Sequence, residues 1–220
     1  YKPHQSALEL VISESGRLGY KISYKVVNAA DYGIAQTRQR FICIGVKKEL
    51  KDFSYPHPTH SNPKKPIKGT KSWVTCGEII GDIDVDLEED INMMAGSKDK
   101  DLLKLVPPGD NYLFFTKERG YSSPIFKWRS RYWPFLLKLS PDRPSWTIQA
   151  SHSNNMGPFP WKNRFLRIQE IKRIQSFDDK HIFLGNFREQ WRQVGNAVPP
   201  KLAEVFAKQL YKLDSSNRIT

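Results

Sequence analysis

Apolar positions recur with two different periods along this chain, and the changes of period divide it. Over residues 4–19, Ala7, Leu8, Val11, Ile12 and Leu18 fall at helical spacing, and Gly16 and Gly19 supply a stop, so a helix is expected. Over residues 20–27, Ile22, Tyr24 and Val26 alternate with polar neighbours until Val27 breaks the pattern, which predicts a strand. A turn follows at residues 28–33. Residues 41–46 form a short apolar run rich in β-branched side chains, which predicts a second, buried strand. Helix, strand, turn and strand make the kind of unit that closes an α/β sheet.

From about residue 48 to residue 163 regular periodicity gives way. Proline-rich loops at 55–66, an acidic cluster and several aromatic-basic stretches predict a separate, loop-rich module with short strands. Helical spacing returns over residues 164–176 through Phe165, Ile168, Ile171 and Ile174. It returns again over 201–213 through Leu202, Val205, Phe206 and Leu210, with Pro199-Pro200 at the start.

The 220 residues suit one large domain or two small ones, and 39% hydrophobic content is enough to bury a core. Charge sharpens the picture. The chain carries 35 Lys and Arg against 23 Asp and Glu, a net +12, which favours a polyanionic partner. Six of those acids, Asp82, Asp84, Asp86, Glu88, Glu89 and Asp90, are clustered, so the remainder carries +18 and its cationic surface is stronger than the total suggests. Two cysteines make neither a disulfide framework nor a metal quartet, which points to a reducing cytoplasm. No apolar run approaches a membrane span and no signal peptide is visible, so no membrane partner is expected. The chain opens on Tyr1 and runs directly into patterned sequence, which suggests a fragment or a processed chain.

Two motifs carry candidate chemistry. In Ala29-Ala30-Asp31-Tyr32-Gly33-Ile34-Ala35-Gln36-Thr37-Arg38-Gln39-Arg40-Phe41, two arginines two apart at a strand entrance fall on one face. Guanidinium forks there suit a phosphate or a base carbonyl, or they are simply solvated. In Gln193-Val194-Gly195-Asn196-Ala197-Val198-Pro199-Pro200, a Gly-Asn pair tolerates positive φ and close backbone approach before a proline-initiated helix, and a capped turn is the plain alternative.

Together these strings resemble the eighth and tenth signature motifs of the DNA cytosine-5 methyltransferases, in the family's order. Between them, residues 164–177, beginning Arg164-Phe165-Leu166-Arg167-Ile168-Gln169-Glu170, resemble the ninth. There the residues also read as an amphipathic helix in which Glu170 can pair with Arg173 or Arg167. The chain departs from the family at Ala35, where Pro is usual, at Gln169, where Arg is usual, and at Asp178, where Pro is usual.

The resemblance implies roles. Arg40 would hydrogen-bond the O2 edge of a flipped cytosine, Arg38 would lie beside it near the phosphate backbone, and Gln36 would help hold the gap left in the duplex. Asn196 and Ala197 would contact S-adenosylmethionine. Thr147 stands where the family places a threonine near the target phosphate. The stretch containing Lys127, Trp128, Arg129, Arg131, Tyr132 and Trp133 would supply DNA contacts through its cations, with Trp128 and Trp133 assigned to the small domain's core. Ser151, His152 and Asn154, in a polar loop, are candidates for base readout.

The expected fold class is α/β: the C-terminal portion of an S-adenosylmethionine-dependent methyltransferase sheet with a loop-rich α+β target-recognition domain. Residues 1–47 would belong to the catalytic domain, 48–190 to the recognition domain, and 191–220 would return to the catalytic domain. The family mechanism needs a cysteine thiolate attacking cytosine C6, a glutamate at N3 and methyl transfer to C5 of an extruded base. No Pro-Cys pair, Glu-Asn-Val segment or glycine-rich cofactor loop occurs here, so the expected partners are double-stranded DNA and a missing N-terminal catalytic half, and the isolated chain is expected to transfer no methyl group. The complete enzyme would serve restriction-modification in a bacterial cytoplasm, associated with the nucleoid. A non-catalytic DNA-binding or specificity subunit, and an RNA-directed relative, are the alternatives. No metal is expected: Asp82-Ile83-Asp84-Val85-Asp86 lacks the central glycine of a calcium loop and reads as a solvated turn, His57 and His60 lack cysteine partners, and Cys43 reads as a core residue.

Overall fold

The computed structural model describes residues 3–88, 99–151, 153 and 155–218. His152 and Asn154, and the acids Glu89 and Asp90, lie outside the described residues.

α1 (Pro3–Arg17) leads into β1 (Tyr20–Asn28), which turns through a 3-10 segment (Ala29–Tyr32) into β2 (Gln39–Lys47). The strands pair antiparallel from Tyr20 opposite Lys47 to Asn28 opposite Gln39. The turn is closed by its own chemistry. The Asn28 side chain accepts from the amides of Ala30 and Arg38, and Gly33 ends the 3-10 segment at φ 76°, a left-handed conformation that suits glycine.

The apolar run predicts a buried β2, but its residues alternate between exposed and half-buried until Val46. Val26 and its cross-strand partner Phe41 are each more than half exposed, Tyr24 packs on Phe41 with ring centroids 5.6 Å apart, and Cys43 beside them is exposed rather than in a core. Leu10 and Val11 of α1, and Leu18 just after it, are exposed too. The buried side of this unit instead packs Val27, Tyr32, Ile34 and Val46 with Phe53 and with Leu202 and Phe206 of the last helix, α6 (Pro200–Arg218).

A small parallel bridge, β3 (His60–Ser61) with β4 (Lys71–Ser72), brackets the proline-lysine loop. Beyond it α2 (Cys76–Ile80), α4 (Ile168–Ile174) and α5 (Phe187–Asn196) enclose a second core of Cys76, Ile80, Leu139, Ile148, Ile171, Trp191 and Val194. A third core beside α3 (Lys100–Leu105) is aromatic: Tyr112, Phe115, Phe126 and Phe135 meet edge to face. Those rings, and not Trp128 or Trp133, form this third core. Both tryptophans are exposed, which corrects their assignment to the core.

α4 is shorter than the helix expected over 164–176. The Glu170 carboxylate turns back to accept from the Arg167 amide, a capping arrangement that starts the helix at Ile168, and Ser176 ends it at φ 67°. Glu170 does not pair with Arg173. It is fully buried and grips Arg164 through two bonds of 2.8 and 2.7 Å, while Arg173 binds Asp82 and Asp179. The acidic turn is therefore docked rather than merely solvated: Arg167 donates to the carbonyls of Ile83 and Val85, and Lys162 reaches Asp84 and Asp86. The hydrogen bond from Arg173 holds the Asp82 carboxyl below its usual range.

Candidate nucleic-acid interface

Residues 35–38 leave the turn and lie alongside residues 145–148. Gln36 bridges Ser145 in parallel, Thr37 donates from its amide to Ser145 O, and Ser145 donates to Ala35 O. The Thr147 hydroxyl donates to Thr37 O at 3.0 Å. Two segments 108 to 112 residues apart thus form one ledge.

Beneath the ledge a buried relay joins four parts of the chain. Ile148 N–H donates to Gln36 Oε1, Gln36 Nε2 donates to Gln175 Oε1 at 3.1 Å, and Gln175 Nε2 donates to Val194 O at 2.7 Å. Arg38 runs beside it. Its guanidinium donates to Ile148 O at 2.8 Å and Gly195 O at 2.9 Å, and only 4% of the residue is exposed. Burial, and then the charge of Arg40, pushes the Arg38 pKa down to about 10, so it stays cationic at neutral pH.

Gly195 is needed for close approach rather than for a special φ. A Cβ there would sit 2.4 Å from Gln149 O and 2.7 Å from Ala150 Cα, and its φ is not positive. Trp191 closes the same junction by donating to Gln149 O.

These contacts place the side chains of two expected site residues inside the protein. Gln36 is fully buried with its amide engaged at both ends. Arg38 faces backbone carbonyls inside the protein rather than a phosphate. The two arginines do not share an environment: Arg40 is half-buried, spends one nitrogen on Gln39 O, has no carboxylate partner among the described residues, and has its pKa lowered by burial. The rest of its guanidinium fork is available to a ligand. Thr147 is exposed on the ledge.

Lys127, Arg129 and Arg131 are exposed on one loop. Arg129 lies over the Trp128 ring at φ 53°, and Arg131 lies over Phe126 and Phe135. Trp133 and Trp146 meet edge to face at 5.5 Å and are each more than a third exposed. Ser151 is exposed. Asn196 ends α5 with its side chain in solvent, next to half-buried Ala197 and exposed Val198. Among the described residues no group of three or more His, Cys, Asp or Glu could hold a metal ion, and no helix is long and apolar enough to cross a membrane.

The model of a family described as C-5 cytosine-specific DNA methylase matches residues 2–212. The chain belongs to this family. Among members, it is 38% identical to the Type II methyltransferase M.SacI of Streptomyces achromogenes, across 96% of this chain and 56% of that protein. It is 29% identical to the Type II methyltransferase M.NgoFVII of Neisseria gonorrhoeae, across 97% and 56%. The chain spans about half the length of the curated relatives it matches. Its mixed α/β fold is shared with solved methyltransferase structures: the S. pombe Dnmt2 methyltransferase has a TM-score of 0.60 at 10% identity, over 96% of this chain and 63% of that one. A DNA modification methyltransferase encoded within an E. coli prophage has 0.59 at 20% identity, over 96% and 64%.

For a C-5 cytosine methylase chain, the residues missed in the sequence are Gln175 of the relay, Trp191 at the junction beside it, and α5 as a helix. Asn186 and Glu189 form a capping box at the start of α5, and Phe187, Trp191 and Val194 recur on one face, so that helix had a legible signal.

Proposed function

We propose that this chain is the C-terminal part of a DNA cytosine-5 methyltransferase of a restriction-modification system, and that it supplies target recognition together with one wall each of the cytosine and cofactor pockets. The observation that carries this reading is the Arg40 fork, which has no carboxylate partner among the described residues and follows a ledge built jointly from residues 35–38 and 145–148. A donor fork there suits the O2 edge of an extruded cytosine. Thr147 and the loop bearing Lys127, Arg129 and Arg131 would hold the flanking phosphates, with Ser151 near the bases. Arg38 and Gln36 act as positioning residues that hold the ledge against α5.

Asn196 suits S-adenosylmethionine, because its exposed amide has no hydrogen-bond partner among the described residues and stands beside apolar Val198. When bound, the cofactor supplies the methyl group. Asn196 and Ala197 would bind one edge of it and orient it.

The thiolate nucleophile would come from an N-terminal catalytic part. The exposed apolar face of Tyr24, Val26 and Phe41 supports this, since a two-stranded sheet with such a face is marginal alone and suits further sheet or helix packing. In this reading residues 1–47 and 191–220 belong with that catalytic part and 48–190 form the recognition domain, in a cytoplasmic enzyme working on the nucleoid. Selection from a randomised duplex library by this chain should enrich one short sequence. Enrichment of none, or tighter binding of structured RNA, overturns the reading.

A further inference from the structure

The proline-lysine loop between β3 and β4 has no part in the roles described so far. Lys64, Lys65, Lys68 and Lys71 are all exposed, and among the described residues none of their ammonium groups has a carboxylate or hydrogen-bond partner. Four unneutralised cations within eight residues repel one another, so a chain free to spread them would do so. This loop instead holds them together on a hydrogen-bonded frame. Ser61 and Thr70 join through their hydroxyls at 2.7 Å, Ile67 N–H donates to Ser61 Oγ, and Lys64 N–H donates to Asn62 Oδ1.

The frame is fastened to the 3-10 turn that precedes β2, the strand on which Arg40 lies. Trp73 Nε1 donates to Asp31 Oδ1 at 2.8 Å, Thr59 N–H donates to Asp31 O at 2.9 Å, and His60 packs so closely on Gly33 that a Cβ there would lie 2.7 Å from its ring. After burial itself, Lys201 and then Lys71 push the His60 pKa down, against an opposing pull from Glu78. The loop also faces the reading ledge across a cleft of about 340 Å³, with Asn62, Pro63 and Lys64 on one side and Thr37, Arg143 and Trp146 on the other.

We infer that the loop at residues 62–71 is a second phosphate-contacting element, gripping duplex DNA that flanks the recognised sequence through Lys64, Lys65, Lys68 and Lys71. This rests on the reading that the ledge binds DNA and adds a partner surface to it. Ammonium groups on long stems carry no base preference, so the loop contributes affinity and register rather than sequence choice.

The test compares the wild-type chain with the variant K64Q/K65Q/K68Q/K71Q, measuring affinity against salt on a long duplex carrying the selected sequence and on one trimmed to that sequence. The slope of log affinity against log salt should fall in the variant by about 0.9 for each phosphate no longer neutralised, or roughly 2–4 in all, on the long duplex only. The single reversal Lys64→Glu should lower affinity for the long duplex in the same direction. Thermal midpoints should be unaltered or slightly raised, because the replaced groups have no partners to lose and repel one another. An unchanged slope in a variant chain whose wild type binds DNA overturns the loop's role while leaving the ledge intact. Equal losses on both duplexes, or a larger loss on structured RNA, overturn the assignment to flanking DNA. A wild-type chain that binds no duplex overturns the underlying reading itself.

Discussion

Gln36 donates its side-chain amide to Gln175 Oε1 at 3.1 Å across 139 residues of sequence, with both residues fully buried. Through this contact the segment leading into β2, which bears Arg40, is joined to the end of α4, and from there to Val194 in α5. Removing either amide strands the partners of the other, and each stranded buried group costs about 1–3 kcal/mol. Gln36→Leu and Gln175→Leu should each lower stability, and the double variant should lose less than their sum by roughly 1–2 kcal/mol. Additive losses in urea unfolding would show that the relay does not act as a unit.

A buried ion pair holds the other end of α4. Arg164 and Glu170 are almost wholly buried and joined by two hydrogen bonds, and Glu170 also accepts from the Arg167 amide. Glu170→Gln leaves Arg164 charged without its main counter-charge and should cost about 3–5 kcal/mol. Replacing both with methionine should cost less than that single change. A Glu170→Gln protein of unchanged stability would show that Asp84, whose nearest oxygen is 3.7 Å from Arg164, suffices as counter-charge.

Lys138 gives a pH signature. It is 3% exposed, and burial pushes its ammonium pKa down to about 8, against 10.5 for the unburied group. The unfolded chain therefore holds this proton up to pH 10.5 while the folded protein releases it near pH 8. Stability owed to this residue rises between those values, because the unfolded state then binds more protons. Lys138→Met should be more stable than wild type at pH 7, and its advantage should shrink by roughly 3 kcal/mol as the pH reaches about 10.5. A difference that does not vary with pH would contradict this.

The two thiols should separate cleanly. Cys43 is exposed, whereas Cys76 is buried in the core beside Ile148 and burial pushes its thiol up to about 12. At about pH 8 a maleimide should label Cys43 rapidly and Cys76 only on unfolding. Rapid labelling of Cys76 would contradict its burial.

How much of this was legible in the sequence depends on the range of the interaction. The hairpin at 20–47 and the last helix follow from periods of two and 3.6 residues, which are local, and they lie close to where the pattern puts them. Arg40 stands out in the sequence by its motif, and in the structure one of its nitrogens donates to Gln39 O. Burial is misread where apolar residues serve a face that this chain leaves uncovered: Phe41, Cys43 and Val26 read as core from composition but are exposed. Gln36 and Arg38 fail in the opposite direction. Polar side chains next to a turn read as ligand-facing, yet their partners are carbonyls and amides more than 100 residues away, which no periodicity encodes. Trp128 and Trp133 read as core because large aromatics usually are, but the phenylalanines and tyrosines of the third cluster already fill it.

Methyl transfer from labelled S-adenosylmethionine to unmethylated DNA tests the central claim most directly, with this chain assayed alone and together with an N-terminal catalytic part carrying a Pro-Cys pair. Incorporation only in the combined reaction, and its loss in Arg40→Gln, is the predicted result. Incorporation by this chain alone would contradict the account, because a nucleophile would then have to lie within these 220 residues.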